Sequence, residues 1–330
     1  MSENDIYQQL FDMYAQWPFG AHKVVDSFME LLRCQFTPEE AELAIKIGFN
    51  NIKFGEVQRR TGMESSRLRQ MLNTMADKGT LWVTPGVEEP DYRTIGVAGP
   101  GLVETGGWGN IRFPHSVRLM QALHRFEVDF AVKCLPDLKY PVYVWTTPEA
   151  LPADADPKDN VAERIKEAGS WGISTCSCRL PHWISDPGDH CRHLLETCLF
   201  MGETARWGAE HGICREITYE EAVATLKRCN EDGLVHTYDP LDFICNCCTD
   251  CCVFFVCLNK TGYNPLRPAP YVAAIDQSTC NACGVCVQRC PFGAIVMEGF
   301  AVVDTEKCMG CGVCFPTCDM GAVEMVKRAK

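Results

Sequence analysis

The chain has 330 residues, a formal charge of −12 and 46% apolar residues, enough for two or three domains with cores of their own. The acidity argues against general nucleic-acid binding and suits a protein that docks on basic partners. The 22 cysteines, in a chain of this length, point to metal ligation rather than to the disulfide scaffold of a short secreted domain.

The opening residues, Met1-Ser2-Glu3-Asn4-Asp5, are polar and acidic. They lack the basic and apolar regions of a secretory signal. The longest apolar run, Cys251–Leu258, is far short of the roughly 20 residues that span a bilayer. A cytoplasmic chain without a membrane span is therefore expected. Residues 1–36 read as amphipathic helix, with Val24, Val25, Phe28, Leu31 and Leu32 at helical spacing. Thr37-Pro38-Glu39-Glu40 is a helix start with a capping box. Short helices are expected at Phe54–Thr61 and from Ser65 or Ser66 to Gly79. Strands are expected at Thr80–Thr84 and Arg93–Val97. Between Lys53 and Arg69 stand Lys53, Arg59, Arg60, Arg67 and Arg69 against Glu56 and Glu64.

Gly99-Pro-Gly101 and Thr105-Gly-Gly-Trp-Gly109 invite a nucleotide-loop reading. Glu104 occupies the third glycine position of that fingerprint and no P-loop lysine follows, so the segment reads as a turn-rich connection. Tyr140–Trp145 reads as a strand, Pro148–Pro157 as a loop and Tyr219–Asn230 as a helix. Residues 261–270 form a linker. The resulting domains are 1–100, 101–260 and 261–330, in an α+β multidomain chain.

Residues 171–260 contain twelve cysteines, seven of them in two knots, Cys176-Ser-Cys178-Arg179 and Cys245-Asn-Cys247-Cys248-Thr-Asp-Cys251-Cys252. Cysteines at i and i+2 of an extended segment face one side, so Cys176 with Cys178, and Cys245 with Cys247, can offer paired thiolates. Cys248 and Cys251 have the two-residue separation common in zinc and cluster loops. These six are the candidate ligands of a further metal centre, iron–sulfur in preference to zinc, with Cys191 and Cys198 as additional candidates. Arg179 would balance thiolate charge. Among His182, His190, His193, His211 and His236, the pair flanking Cys191-Arg192 is placed to ligate or donate a proton. Cys34, Cys134 and Cys229 read as ordinary core cysteines.

The last region holds Cys280, Cys283, Cys286 and Cys290, then Cys308, Cys311, Cys314 and Cys318, each set spaced C-x2-C-x2-C-x3-C. The two segments align as an internal repeat offset by 28 residues, with Gly284-Val-Cys286 over Gly312-Val-Cys314 and Gly293-Ala294 over Gly321-Ala322. Three closely spaced thiolates can wrap one cubane, while the fourth points away to its neighbour. That gives one [4Fe–4S] set of Cys280, Cys283, Cys286 and Cys318, and another of Cys308, Cys311, Cys314 and Cys290. Paired zinc sites could use the same residues but would not require this repeated spacing.

The region resembles the bacterial two-[4Fe–4S] ferredoxins over about 55 residues, departing from them where Asp319 replaces the proline found at Pro291. Residues 38–97 resemble a winged helix, with Ser65–Lys78 in the recognition position. The C-x-C-R segment, the C-x-C-C segment and the ferredoxin region together resemble a group of iron–sulfur proteins of anaerobes. These resemblances imply an electron carrier, or a subunit of an anaerobic oxidoreductase, that meets redox partner proteins in a larger complex. The alternatives are a reductase acting at the middle centre and a redox-sensing DNA-binding regulator. The overall charge favours protein docking over DNA for the winged-helix unit.

Overall fold

A computed structural model describes residues 3–97, 101–113, 116–138, 142–186, 188, 191–239 and 243–328. It is mixed helix and strand. Helices Glu3–Tyr14, Val25–Gln35 and Pro38–Ile47 pack with Val117–Lys133 around one apolar core. Phe28 sits at its centre, fully buried, with the rings of Phe11, Tyr14, Phe19 and Phe126 at 5.8, 5.7, 5.4 and 5.1 Å. The expected capping box is present: the Glu40 N–H donates to Thr37 Oγ1 at 3.2 Å, and the Thr37 N–H to Glu40 Oε2 at 2.8 Å.

Helices Phe54–Thr61 and Ser65–Asp77 follow, flanked by a small antiparallel sheet in the order Ile52–Lys53, Asp91–Thr94, Leu81–Val83. The second helix is capped by the Glu64 carboxylate rather than by a serine. Trp82 of the sheet stacks on Trp207 at 5.1 Å, so this sheet packs against the next layer.

That layer is a seven-stranded mixed sheet. Its order is Leu266–Arg267, Val142–Val144, Val235–Asp239, Phe243–Cys247, Glu196–Met201, Trp171–Thr175, Arg215–Ile217. Only the first pair is parallel. The expected strand at Tyr140–Trp145 is observed as Val142–Val144; residues 140 and 141 lie outside the described residues. The segment read as a turn-rich connection instead forms a helix, Leu102–Gly107, in which Glu104 Oε2 accepts from the Gly101 N–H at 3.0 Å. The glycines serve packing there, since a Cβ on Gly107 would strike the Ser177 backbone.

The C-terminal region pairs Tyr271–Ile275 with Val323–Lys327 and Ile295–Glu298 with Phe300–Val303, both antiparallel. The pairs Ile275 with Val323 and Ile295 with Val303 are equivalent under the 28-residue repeat. Among the described residues, no helix is long and apolar enough to cross a membrane.

Candidate metal centres

The two terminal cysteine sets line two separate cavities of about 20 Å³ each. Cys280, Cys283, Cys286 and Cys318 surround one, and Cys290, Cys308, Cys311 and Cys314 the other. The loops turn at left-handed Gly284 and Gly312, with φ of +74° and +76°, conformations that glycine adopts without a Cβ penalty. Backbone N–H groups of Ala282, Ala294 and Ala322 donate to the sulfurs of Cys280, Cys290 and Cys318 at 3.4, 3.3 and 3.2 Å. Such donors favour the thiolate and set the potential of what it binds. Four convergent thiols with N–H donors fit a thiolate-ligated cluster in each cavity.

The repeat is symmetric in sequence but not in setting. Cys283 is exposed, and exposed Val285 and Met320 flank its cavity, whereas Cys308, Met309, Cys311, Val313 and Cys314 are buried. The buried loop is held at several points. Thr146 Oγ1 donates to the Gly310 carbonyl at 2.7 Å, and the Thr147 N–H to the Cys311 carbonyl at 3.1 Å. Arg289 Nε donates to the Val313 carbonyl at 3.0 Å, and the same guanidinium reaches the Glu231 carbonyl at 2.7 Å. Met309, Cys311 and Val313 share an apolar cluster with Val142, Val235, Cys247, Cys252 and Phe255. The inner terminal cavity is thus packed against the middle cysteines.

Those middle cysteines form two groups that share Cys248. A cavity of about 60 Å³, at one end of the seven-stranded sheet, is lined by Cys176, Cys178, Cys198, Cys245, Cys247, Cys248 and Cys252, with Glu104, Thr197, Thr237 and Asn246. Of the six candidate ligands, five line it and Cys251 does not. Cys251 lies with Cys191 and Cys248, the three sulfurs within 4.8 Å of one another. Cys245 and Cys247 alternate on one strand as expected, but Cys176 and Cys178 meet through a turn into helix Arg179–Ser185 rather than on extended chain. Cys252, read as part of the second knot but not among the six candidates, lines the cavity as well, and Glu127 escaped the sequence reading. Glu127 carried a signal, a carboxyl on the apolar face of its helix at heptad spacing from Met120.

The thiols divide: hydrogen bonds from neighbouring thiols hold Cys176, Cys247 and Cys248 down, while Cys178 and Cys245, through hydrogen bonds to their neighbours, and Cys252, through burial, are pushed well above the usual range. The Cys178 hydrogen bond draws the Cys176 thiol down to about 6 against the cost of burial, and Arg179 adds to this. Hydrogen bonds from Cys245 and Cys252 hold Cys247 well below the usual thiol range. Arg179 is fully buried, with Nη2 donating to Thr197 Oγ1 at 2.8 Å and to the Asn246 carbonyl at 2.6 Å. Burial works against its charge and is outweighed by the thiolates of Cys176, Cys248 and Cys247. A buried guanidinium requires an anion beside it, and here the thiolates supply it. Glu127 is also buried, and burial and the Cys176 thiolate push its carboxyl well above the usual range.

The histidines divide. His193 Nδ1 lies 3.1 Å from Asp232 Oδ2, and His211 Nδ1 2.7 Å from Asp77 Oδ1. His182 packs edge-on against His124 at 5.1 Å. His236 is buried, its Nδ1 paired with Asn246 Oδ1. His190 lies outside the described residues. Cys229 is fully buried on helix Tyr219–Glu231.

The family described as 4Fe-4S binding domain matches residues 273–296 and 301–324, one match to each half of the repeat. Neither a curated protein nor a solved structure matches the chain.

Proposed function

We propose that the chain is an iron–sulfur electron-transfer protein in which two terminal [4Fe–4S] clusters connect the protein surface to a cysteine-held centre in the middle region. Cys280, Cys283, Cys286 and Cys318 would hold the outer cluster. Cys308, Cys311, Cys314 and Cys290 would hold the inner one. Cys176, Cys178, Cys247 and Cys252, with Cys245 and Cys198 beside them, would hold the middle centre. Such clusters supply one-electron transfer, at potentials set by their hydrogen bonds and exposure. One observation carries the reading: Met309, Cys311 and Val313 of the inner cysteine loop are buried in the apolar cluster that contains Cys247 and Cys252. That contact brings the inner cysteines against the middle ones, as a relay between the two regions requires.

The exposed side around Cys283, Val285 and Met320 is the natural docking face for a redox partner protein in a larger complex. The winged-helix-like unit is read as a packing and docking element. Trp82 of its sheet stacks on Trp207, and its basic residues are engaged within the unit. Lys53 pairs with Asp91 at 3.2 Å, Arg60 with Glu56 at 2.7 Å, Arg59 with Glu56 and Arg67 with Glu39, while Arg69 lies 4.0 Å over the Phe54 ring.

Iron and acid-labile sulfide counts on anaerobically reconstituted protein test the third centre. The two terminal clusters account for about eight irons. More than eight supports the middle centre, and eight with no further signal on reduction refutes it. A second reading, a reductase acting at the middle centre, draws on the cavity there being three times the volume of either terminal one. Cyanide or carbon monoxide that alters only the middle centre's spectrum would favour the enzyme, and insensitivity would favour the relay.

A further inference from the structure

Cys191, Cys248 and Cys251 are all buried, with their sulfurs within 4.8 Å of one another. The Cys191–Cys248 separation is 3.7 Å. A disulfide would bring them to about 2.05 Å. Two thiolates on one tetrahedral ion, each about 2.3 Å from the metal, stand about 3.8 Å apart. Ligands of a cubane bind separate irons and do not converge in this way. The Cys251 N–H donates to Cys248 Sγ at 3.4 Å, and the His193 backbone N–H faces the Cys191 sulfur. The Trp183 indole N–H fixes the Cys191 carbonyl at 2.8 Å.

A candidate fourth donor stands beside Cys191, the cysteine common to both convergent groups. His193 belongs to a second convergent group with Cys191 and Asp250. Its Nδ1 is taken by Asp232 at 3.1 Å, which leaves Nε2 for a metal. A carboxylate behind the imidazole is the arrangement that fixes ring orientation in zinc sites. Charge agrees as well: three thiolates and a dication leave one negative charge, next to a fully buried Arg179 on which Cys248 acts strongly.

We propose that Cys191, Cys248 and Cys251 bind a single zinc-type ion, with His193 as the fourth donor, as a site distinct from any iron–sulfur centre. The ion would tie the Cys245–Cys252 knot to the segment that precedes strand Glu196–Met201, and so hold Cys247 and Cys252 in place. This inference does not depend on the electron-transfer reading.

The test uses the full chain, purified anaerobically from zinc-containing medium. Zinc-edge X-ray absorption is expected to show three sulfurs at about 2.3 Å and one nitrogen at about 2.0 Å. Cys191→Ser should lose that zinc while iron and sulfide remain, Cys318→Ser should do the reverse, and His193→Ala should keep the sulfurs and lose the nitrogen. Cobalt(II) offered to the unsubstituted protein should give the visible bands of a tetrahedral thiolate site, a readout that no substitution can confound. The proposal is overturned if the protein holds no zinc and cobalt gives no such bands, or if Cys191→Ser loses iron and keeps its zinc. Failure here leaves the iron count standing, so it is distinguishable from failure of the electron-transfer reading.

Discussion

Gly284 and Gly312 occupy the same position in the two halves of the repeat, with almost the same left-handed backbone. Alanine at either position costs about 1–2 kcal/mol for that conformation. Their surroundings differ. A Cβ at Gly284 meets nothing within 4 Å, whereas at Gly312 it meets Thr147 Cγ2 at 2.8 Å and Ala150 Cβ at 3.1 Å. Overpacking of that kind adds about 1–3 kcal/mol. Gly312→Ala should therefore cost more than Gly284→Ala by that amount, and the difference isolates the docking of the inner loop from the strain common to both. Anaerobic urea unfolding of the cluster-loaded protein, followed through the cluster absorption, gives the two midpoints. The natural repeat has already drawn the same distinction. Ala282 carries its Cβ at a φ of 59°, while its counterpart Gly310 has no room for one beneath the Tyr271 carbonyl. Gly310→Ala should be at least as damaging as Gly312→Ala. Equal midpoints for Gly284→Ala and Gly312→Ala would refute the packing of the inner loop on the middle region.

Arg179→Met should strip the middle centre of iron and leave the terminal clusters loaded, because removing one partner of a buried charge set costs about 3–5 kcal/mol; unchanged iron would count against Arg179 as the counter-charge. Burial lowers the pKa of His236. Below about pH 6.5 the unfolded chain therefore takes up a proton that the folded chain does not, and stability falls as pH drops. His236→Gln should flatten this loss between pH 7 and pH 5, and parallel pH curves for the two proteins would contradict it. Phe28→Ala should cost about 3–5 kcal/mol of stability from the helical core, measured as the shift in the helical circular-dichroism transition. In a low-salt gel-shift assay no retarded DNA band is expected, and a salt-dependent band would reinstate the regulator reading.

Legibility in the sequence followed how local the determining interactions are. The terminal sets could be read because the ligand spacing is itself the structure, and Thr37 to Glu40 because a cap is closed within four residues. The seven-stranded sheet could not, because its strands are short and its pairings distant, such as Leu266–Arg267 beside Val142–Val144. Gly106 and Gly107 looked like a turn because the groups that crowd them are distant in sequence, Gln35 at Gly106 and the Ser177 backbone at Gly107. The division of the middle cysteines was hidden for the same reason. Cys248 and Cys251 sit in the same knot as Cys247 and Cys252, yet the partner that separates them, Cys191, comes from another segment.

The unequal exposure of the two repeat halves has a practical consequence for handling the protein. Cys283 faces solvent, while Cys308, Cys311 and Cys314 are buried and Cys290, the fourth of the inner set, is partly buried. In air, iron held by the outer four cysteines should be lost first, and iron held by the inner four should survive longer. A preparation exposed briefly to air would then hold less iron than its two cysteine sets could bind, and its colour would report the history of the sample as much as its chemistry.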